Sequence, residues 1–123
     1  MTKVNYDKNN IFAKIIRKEA KANIIFENKY IICFKDIFPK APVHILIIPK
    51  GEFKDIFDFS INATSEEKKA IYDGFTKVIK IFDLELDGCR IISNFGKHGR
   101  QEVPHLHFHL LGGKDIGSMI SKL

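Results

Sequence analysis

The apolar residues of this chain alternate between helical and strand spacing. A short helix is predicted after Asn9 and Asn10, either of which is a suitable N-cap. Its apolar face carries Ile11, Phe12, Ile15 and Ile16. A longer helix is predicted after Thr64, which forms a capping box with Glu67, and it extends to about Phe82. The buried face of this helix is expected to carry Ala70, Ile71, Phe75, Val78, Ile79 and Phe82.

Short runs rich in β-branched and aromatic residues predict about five strands. They cover residues 23–26, 30–34, 43–48, 89–95 and 103–111. The first two runs are separated by a few polar residues and predict a hairpin, and residues 36–42 contain two prolines and predict a loop. The pattern indicates an α+β fold, in which a mainly antiparallel sheet has one long and one short helix packed on a face.

Length and composition fit one globular domain. The chain has 123 residues, of which 45% are hydrophobic and 28% are charged, so we expect a single domain over residues 1–123. Its core covers residues 11–113 and is followed by a short tail, 114–123. The sequence contains no apolar run long enough for a membrane helix and no N-terminal signal pattern. We therefore expect a cytoplasmic protein without a membrane partner.

Charge and cysteine content narrow the function further. The formal net charge is +5, but only three of the 20 basic residues are Arg, and the lysines are scattered singly. This distribution argues against nucleic-acid recognition, which relies on clustered Arg. The two cysteines, Cys33 and Cys89, both lie in predicted strands beside apolar residues and are expected to be free thiols.

Three of the five histidines alternate in the last predicted strand, as His105, His107 and His109. Alternate residues of a strand point to the same side, so the three imidazoles are expected to line one face. The residues between them, Leu106 and Phe108, face the helix layer. An isolated buried histidine is usually a core residue, but three in strict alternation indicate a functional row.

Metal binding is one interpretation of this row. His105 and His109 are expected to lie roughly 13 Å apart along a strand, so one ion cannot bind all three rings. Two triad histidines could instead bind zinc together with His44, which starts another strand. The sequence has neither a close Cys pair nor a His-Glu-x-x-His motif, and carboxylates near the row are few.

Phosphoryl chemistry is the second interpretation, and the residues around the histidine row fit it better than they fit metal binding. Neutral imidazole is a good nucleophile near pH 7. The polar loop from Gly96 to Val103 leads into the histidine row, and its glycines allow N–H groups to turn towards an anion. The side chain of Gln101 is expected to add a further donor.

The run from His105 to Leu111 resembles the His-φ-His-φ-His-φ-φ signature of the histidine triad (HIT) superfamily, where φ is hydrophobic. Further blocks are similar to the Hint branch, especially its bacterial members. They lie at residues 11–16, 34–37, 41–49, 94, 101–103 and 111–113. The resemblance covers essentially residues 11–120, and it implies a HIT-like fold.

The resemblance also implies an activity, which is hydrolysis of the P–N bond of nucleoside 5′-phosphoramidates, commonly of adenosine. His107 matches the nucleophile that forms a covalent nucleotidyl-histidine. His109 matches the residue that helps protonate the leaving amine and stabilises charge. His44 matches the partner histidine beside the nucleophile, and His105 matches the first triad member, which supports the site. No metal or other cofactor is implied.

Binding residues are implied in the same way. Asp36 matches the carboxylate that accepts hydrogen bonds from the ribose hydroxyls. Asn94, Gln101 and the backbone near Glu102 and Val103 match phosphate-contacting positions. The apolar pocket that holds the base in this branch corresponds here to Ile11, Phe12, Ile15, Phe34 and Ile37. The implied partners are a purine nucleotide, such as AMP, GMP or their phosphoramidates, and a second copy of the chain whose sheet joins the first.

The chain departs from the pattern of the branch at three places. Arg100 stands where Gly is common, which narrows the phosphate loop or adds a positive contact to the substrate. Pro104 replaces a usual aromatic residue. The tail has little pattern apart from Ile116, Met119 and Ile120, and in this branch the tail shapes the pocket for the leaving group.

Three functions other than phosphoramidate hydrolysis remain open. The first is a nucleotide-binding or signalling module whose histidine row no longer catalyses. The second is a dinucleoside polyphosphate hydrolase. The third is a metal-dependent enzyme that uses two triad histidines with His44.

Overall fold

A computed structural model describes residues 5–119 of the chain. Its strands are β1 (Ile24–Glu27), β2 (Ile31–Lys35), β3 (Val43–Pro49), β4 (Cys89–Ile92) and β5 (Phe108–Gly112). They form one sheet in the order β1-β2-β3-β5-β4, and every neighbouring pair is antiparallel. The helices are α1 (Ile11–Ile16), α2 (Ile56–Asn62) and α3 (Ser65–Ile81). The predicted α+β class and antiparallel sheet are confirmed.

Side-chain caps define the starts of the two predicted helices. The Asn10 side chain accepts a hydrogen bond from the Ala13 N–H at 2.8 Å and begins α1. In α3 the Thr64 hydroxyl accepts from the Glu67 N–H, and the Glu67 carboxylate accepts from the Thr64 N–H. Each bond satisfies a main-chain donor that has no partner inside the helix. The predicted capping box is therefore confirmed.

The helix α2 was not predicted. Its apolar residues, Ile56, Phe57, Phe59 and Ile61, do not fall on one helical face, and only Phe59 is buried. The helix is instead marked at its start by Asp55, whose side chain accepts from the Asp58 N–H at 2.8 Å. An N-cap without a clear apolar stripe is a weak signal in sequence, although it is sufficient in the folded chain.

The helices cover both faces of the sheet, whereas the sequence analysis placed the long and the short helix on one face. The first hydrophobic cluster joins α3 to the sheet through residues that include Ile31, Cys33, Ile45, Ile47, Ala70, Ile71 and Val78. The second joins α1 to the opposite face through Phe12, Ile15, Ile32, Phe34, Leu46 and Ile48. Because β2 and β3 are apolar on both sides, each face has to be covered.

The last two strands are shorter than predicted. β4 ends at Ile92 and β5 begins only at Phe108, so His105 and His107 lie in the segment that leads into β5. Pro104 has no N–H to donate to a ladder. The Leu106 N–H donates to the Phe53 carbonyl at 2.8 Å, which anchors this segment to the chain before α2. The alternation of the side chains nevertheless persists, because Leu106 and Phe108 pack in the first cluster.

Both cysteines are free thiols, as predicted. Burial raises the pKa of Cys33 to about 12, so its thiol is unreactive near neutral pH. No helix within residues 5–119 has the length and apolar character needed to cross a bilayer. Ile120, which was singled out in the tail, lies outside the described residues.

Candidate active site

The pairing of β3 with β5 brings His44 beside His109. Leu46 lies opposite His109 in the register, and His44 lies opposite Leu111. The Lys40 N–H donates to Nδ1 of His44 at 3.0 Å, so this nitrogen carries the lone pair and Nε2 carries the hydrogen. The Nε2–H of His44 then donates to Nδ1 of His109 at 2.9 Å.

The orientation of His107 is set by its own neighbourhood in the chain. Its Nδ1 lies 2.7 Å from the carbonyl oxygen of His105. A carbonyl only accepts, so Nδ1 carries the hydrogen and Nε2 carries the free lone pair. The ring packs edge-on against Phe12, with centroids 4.9 Å apart, and lies 5.2 Å from the ring of His109. His107 therefore has a fixed ring with a nucleophilic nitrogen.

His105 has both ring nitrogens occupied. The Tyr6 hydroxyl donates to Nδ1 at 2.6 Å, and Nε2 donates to the Pro49 carbonyl at 2.8 Å. The side chain has no exposed surface. This ring is fixed inside the protein and offers no free nitrogen to a substrate.

Burial keeps the histidines neutral near pH 7. Loss of solvent lowers the pKa of His105 to about 4, against a usual value near 6.5. Burial, followed by the neighbouring rings of His107 and His44, lowers the pKa of His109 to about 4. The pKa values of His107 and His44 are also lowered, mainly by burial. Neutral imidazoles are the forms that can act as nucleophiles or bases.

A cavity of about 370 Å³ opens at this cluster, and we call it the histidine cavity. Its apolar part contains all five residues expected to form a base pocket: Ile11, Phe12, Ile15, Phe34 and Ile37. Its polar part includes six more of the expected residues: Asp36, Asn94, Glu102, Val103, His107 and His109. The structure thus brings together residues that the chain separates by up to 98 positions (11 to 109). His44 lines an adjoining cavity that also contains His109.

Asp36 lies at the junction of these two cavities. Its Oδ1 accepts a hydrogen bond from the Phe38 N–H at 2.8 Å, which holds the carboxylate in place. Its Oδ2 lies 3.4 Å from Nε2 of His44. Each carboxylate oxygen can accept more than one hydrogen bond, so Asp36 can still bind hydroxyl donors in the cavity.

Gln101 differs from the sequence expectation. Its Nε2 donates to the carbonyls of Lys54 and Val103, and its Oε1 accepts from the Gly96 N–H. Both amide hydrogens are thus bonded to the protein, and the side chain shapes the loop instead of adding a donor to the histidine cavity. The N–H groups of Glu102 and Val103 have no acceptor within residues 5–119 and remain available to a ligand.

The groups that could hold a metal ion also differ from those expected. In the part of the chain that is described, ligand atoms of Asp36, His44 and His109 all lie within 4.8 Å of one another. Only one triad histidine belongs to this set: His105 has no free nitrogen, and neither ring nitrogen of His107 lies within the group. Two imidazoles and a carboxylate are ligands that suit zinc.

Two supporting residues were missed by the sequence analysis. The hydroxyl of Tyr6 fixes His105 from a position 99 residues away. The Ser93 hydroxyl donates to the His107 carbonyl at 3.0 Å and fixes the backbone of that residue from just after β4. Neither contact has a local sequence signal, because each depends on how distant segments pack.

Comparisons with known proteins agree with the fold and the histidine motif. A family model described as the HIT domain matches residues 17–116. The purine nucleoside phosphoramidase of Escherichia coli K12 is 41% identical over 114 residues, which cover 90% of this chain and 92% of that protein. An uncharacterized 13.2 kDa HIT-like protein of Azospirillum brasilense is 43% identical over 117 residues, or 95% of this chain and 96% of its own.

Solved structures give the same result. A HIT family hydrolase from Clostridium thermocellum superposes with a TM-score of 0.85 at 37% identity, covering 94% of this chain and 99% of that one. A HIT family hydrolase from Legionella pneumophila gives 0.81 at 40% identity, covering 87% and 95%. The family model, the sequence identity to relatives and the similarity of the fold all agree, and the chain belongs to the HIT domain family.

Proposed function

We propose that this chain hydrolyses the P–N bond of purine nucleoside 5′-phosphoramidates and releases a nucleoside monophosphate and an amine. The main support is the free Nε2 of His107 at the polar part of a cavity whose other part is apolar. The similarity to a protein named as a purine nucleoside phosphoramidase supports the choice of substrate.

The cavity suggests how such a substrate binds. The purine packs in the apolar part, where it buries apolar surface against Phe12 and Phe34. The ribose hydroxyls donate to Asp36. The phosphate oxygens accept from the N–H groups of Glu102 and Val103 and from the Asn94 side chain. This arrangement brings the phosphorus to the two cavity-lining histidines.

The first chemical step forms a covalent intermediate on His107. The lone pair of Nε2 attacks the phosphorus, an Nε2–P bond forms and the bond to the amine nitrogen breaks. The leaving nitrogen needs a proton. Neutral His109 carries its hydrogen on Nε2, because its Nδ1 accepts from His44, and this N–H donates a hydrogen bond to the departing nitrogen. The proton itself comes from a water molecule, which is left as hydroxide when the amine departs.

The second step releases the nucleotide. The hydroxide that remains from the first step attacks the phosphorus. The Nε2–P bond breaks and its electron pair returns to His107, which is again neutral. The second step thus returns His107 to its starting form. The His44 Nε2–H, which donates to Nδ1 of His109, keeps the ring of His109 oriented throughout.

We also propose that two copies of the chain associate through β4. This strand lies at one edge of the sheet, so one side of its backbone has no strand partner among residues 5–119. Ile91 is an exposed apolar side chain on this strand, and Leu86 is another a few residues before it in the chain. Pairing of two β4 strands joins the two sheets and covers these residues.

The proposed nucleophile is tested with adenosine 5′-phosphoramidates. His107→Asn, which retains much of the ring's volume, is expected to lower the turnover rate roughly 10³-fold or more, since no comparable nucleophile remains. Rapid quenching of wild-type protein with isotopically labelled substrate is expected to trap one nucleotide on His107. His98→Asn, at an exposed histidine, is the matched control and leaves turnover unchanged.

Other outcomes favour the remaining functions. Binding of AMP without turnover of any substrate indicates a nucleotide-binding module. Faster cleavage of a dinucleoside polyphosphate than of a phosphoramidate indicates a polyphosphate hydrolase. Loss of activity after chelation, restored by zinc, indicates a metal enzyme built on Asp36, His44 and His109. Near-normal turnover by His107→Asn would overturn the assignment of the nucleophile.

A further inference from the structure

A second, shallower cavity adjoins the histidine cavity. It is lined by Asn94, Lys97, Gly99, Arg100, Gln101 and Glu102. Asn94, Arg100 and Glu102 also line the histidine cavity, whereas none of the apolar residues of that cavity is shared. The two cavities therefore meet at the part where the phosphate is proposed to bind. A group that extends from the phosphate into the second cavity would therefore lie away from the apolar residues proposed to bind the base.

In the loop between the cavities, residues 95–101, many main-chain N–H groups are hydrogen-bonded within the loop itself. The N–H groups of Gly99, Arg100 and Gln101 donate to carbonyls of residues 95–97 at 3.0–3.2 Å. The Gly96 N–H donates to the Gln101 side chain. These four donors are unavailable to a ligand, so side-chain charge is the main remaining means of binding an anion in the second cavity.

Arg100 supplies such a charge from an unfavourable backbone conformation. Its φ is +60°, in the left-handed region that glycine adopts freely and a residue with a β-carbon does not. Within residues 5–119, no hydrogen bond or ion pair engages its guanidinium or the ammonium of Lys97. Glu102 is the one carboxylate lining the second cavity, so two cations face one anion there.

We infer that Arg100, assisted by Lys97, binds an anionic group carried by the leaving group of the substrate. The inference rests on the proposed function and adds a preference to it. The preferred leaving group has a carboxylate, as in an amino acid joined through its amine, or a further phosphate. A guanidinium binds either group through paired hydrogen bonds.

Two ligands that differ by one charge test this preference. The first is AMP joined through nitrogen to glycine, and the second is the same compound with glycinamide. Binding is measured by calorimetry in the His107→Asn background, in which the ligand is not consumed. With Arg100 present, the carboxylate ligand is expected to bind roughly threefold to tenfold more tightly than the amide.

Substitutions at Arg100 should remove this difference. Arg100→Gln keeps a long polar side chain at this position. Arg100→Gly removes the side chain and also the steric strain of a positive φ. The two variants change the backbone differently, so we do not expect both to share one folding defect. Each should bring the ratio of the two dissociation constants close to one. Lys80→Gln, in the last turn of α3 on the opposite face of the sheet, removes one positive charge and should leave the ratio unchanged.

ADP and AMP, compared in the same proteins, distinguish a phosphate from a carboxylate. If the Arg100 substitutions abolish a preference for ADP over AMP, and no preference for the carboxylate ligand is seen, the anionic group bound by Arg100 is a phosphate. The inference would be overturned if the glycine and glycinamide compounds bound equally and ADP and AMP also bound equally. It would also be overturned if the ratios of the dissociation constants were unchanged in both Arg100 variants. These experiments measure binding, so their outcome for the inference does not depend on whether the protein turns over the substrate. If wild-type protein cleaves the glycinamide compound, the proposed function stands even where the inference fails.

Discussion

Main-chain groups decide which ring nitrogen of each buried histidine carries the hydrogen. The Lys40 N–H fixes Nδ1 of His44 as an acceptor, and the His105 carbonyl fixes Nδ1 of His107 as a donor. A main-chain group cannot exchange its role as donor or acceptor, so the tautomers follow from the fold. His107 therefore presents its lone pair at Nε2 before any substrate binds.

Tyr6→Phe tests the least local of these contacts. The change removes the donor to Nδ1 of His105 and leaves a buried nitrogen without its partner, so we expect a loss of about 1–2 kcal/mol in the free energy of unfolding. The imidazole nitrogen signals of His105 should shift in NMR spectra, which a simple packing defect would not cause.

Tyr72→Phe is the matched control, because Tyr72 is exposed on α3. It should change neither the free energy of unfolding nor the spectra of His105. Equal stability of the two variants would show that the hydrogen bond from Tyr6 contributes nothing net.

Inner strands of the sheet carry two histidines of the candidate site, and each edge strand leaves one side of its backbone unpaired within residues 5–119. β3 and β5 lie side by side in the sheet and present His44 and His109 to each other. α1 closes the same face, where Phe12 contacts both His107 and Phe34. β1 and β4 are the two edges, and neither has a second strand partner within the described residues.

Association through β4 predicts different effects of lysine at the two edges. Ile91 on β4 and Ile24 on β1 are each 39% exposed, so the two positions are well matched. Ile91→Lys is expected to convert a dimer to a monomer, because a charge is poorly tolerated where two edges meet. Ile24→Lys should leave the dimer intact.

Light scattering after size-exclusion chromatography measures the mass directly. A monomeric wild-type protein would contradict association altogether. Dissociation by Ile24→Lys alone would instead place the interface at β1.

Burial of several histidines couples the stability of the whole molecule to pH. The pKa of His105 is near 6.5 in an unfolded chain and about 4 in the folded protein. Between these values the unfolded chain binds a proton that the folded protein excludes. Stability is therefore unaffected by this group above about pH 6.5 and falls as the pH is lowered from 6.5 towards 4.

We expect the free energy of unfolding to fall by about 2 kcal/mol from pH 7 to pH 5 through His105 alone, and His109 adds to this loss. Urea unfolding at a series of pH values measures the slope. His105→Asn should reduce the slope, whereas His98→Asn should not. A free energy that stays constant over this range would contradict the neutral, buried state of His105.

Much of the fold was predictable because its signals are local. The cap and the apolar spacing of α1, the capping box of α3 and the alternation of the last three histidines each depend on residues within a few positions. The same holds for the apolar run of β3. The presence of α2 was missed although its cap at Asp55 is local, because no apolar stripe accompanies that cap. The start of β5 was missed because strand spacing does not record that Pro104 has no N–H.

The sequence predicted which candidate residues lie close together better than it predicted their hydrogen bonds. The resemblance named the residues that meet in the histidine cavity, and all five apolar positions line it. It did not show that Gln101 is bonded to carbonyls of Lys54 and Val103. Hydrogen-bond partners of this kind depend on which distant segments come within about 3 Å.

The sequence by itself determined the class of the fold, the main elements and the alternating histidine motif, because these follow from the chemistry of neighbouring residues. The tertiary structure alone decided that helices cover both faces of the sheet and that Tyr6 fixes His105. It also decided that the Nε2–H of His44 donates to Nδ1 of His109. These features depend on contacts between segments far apart in the chain, which become defined only when the whole sheet has formed.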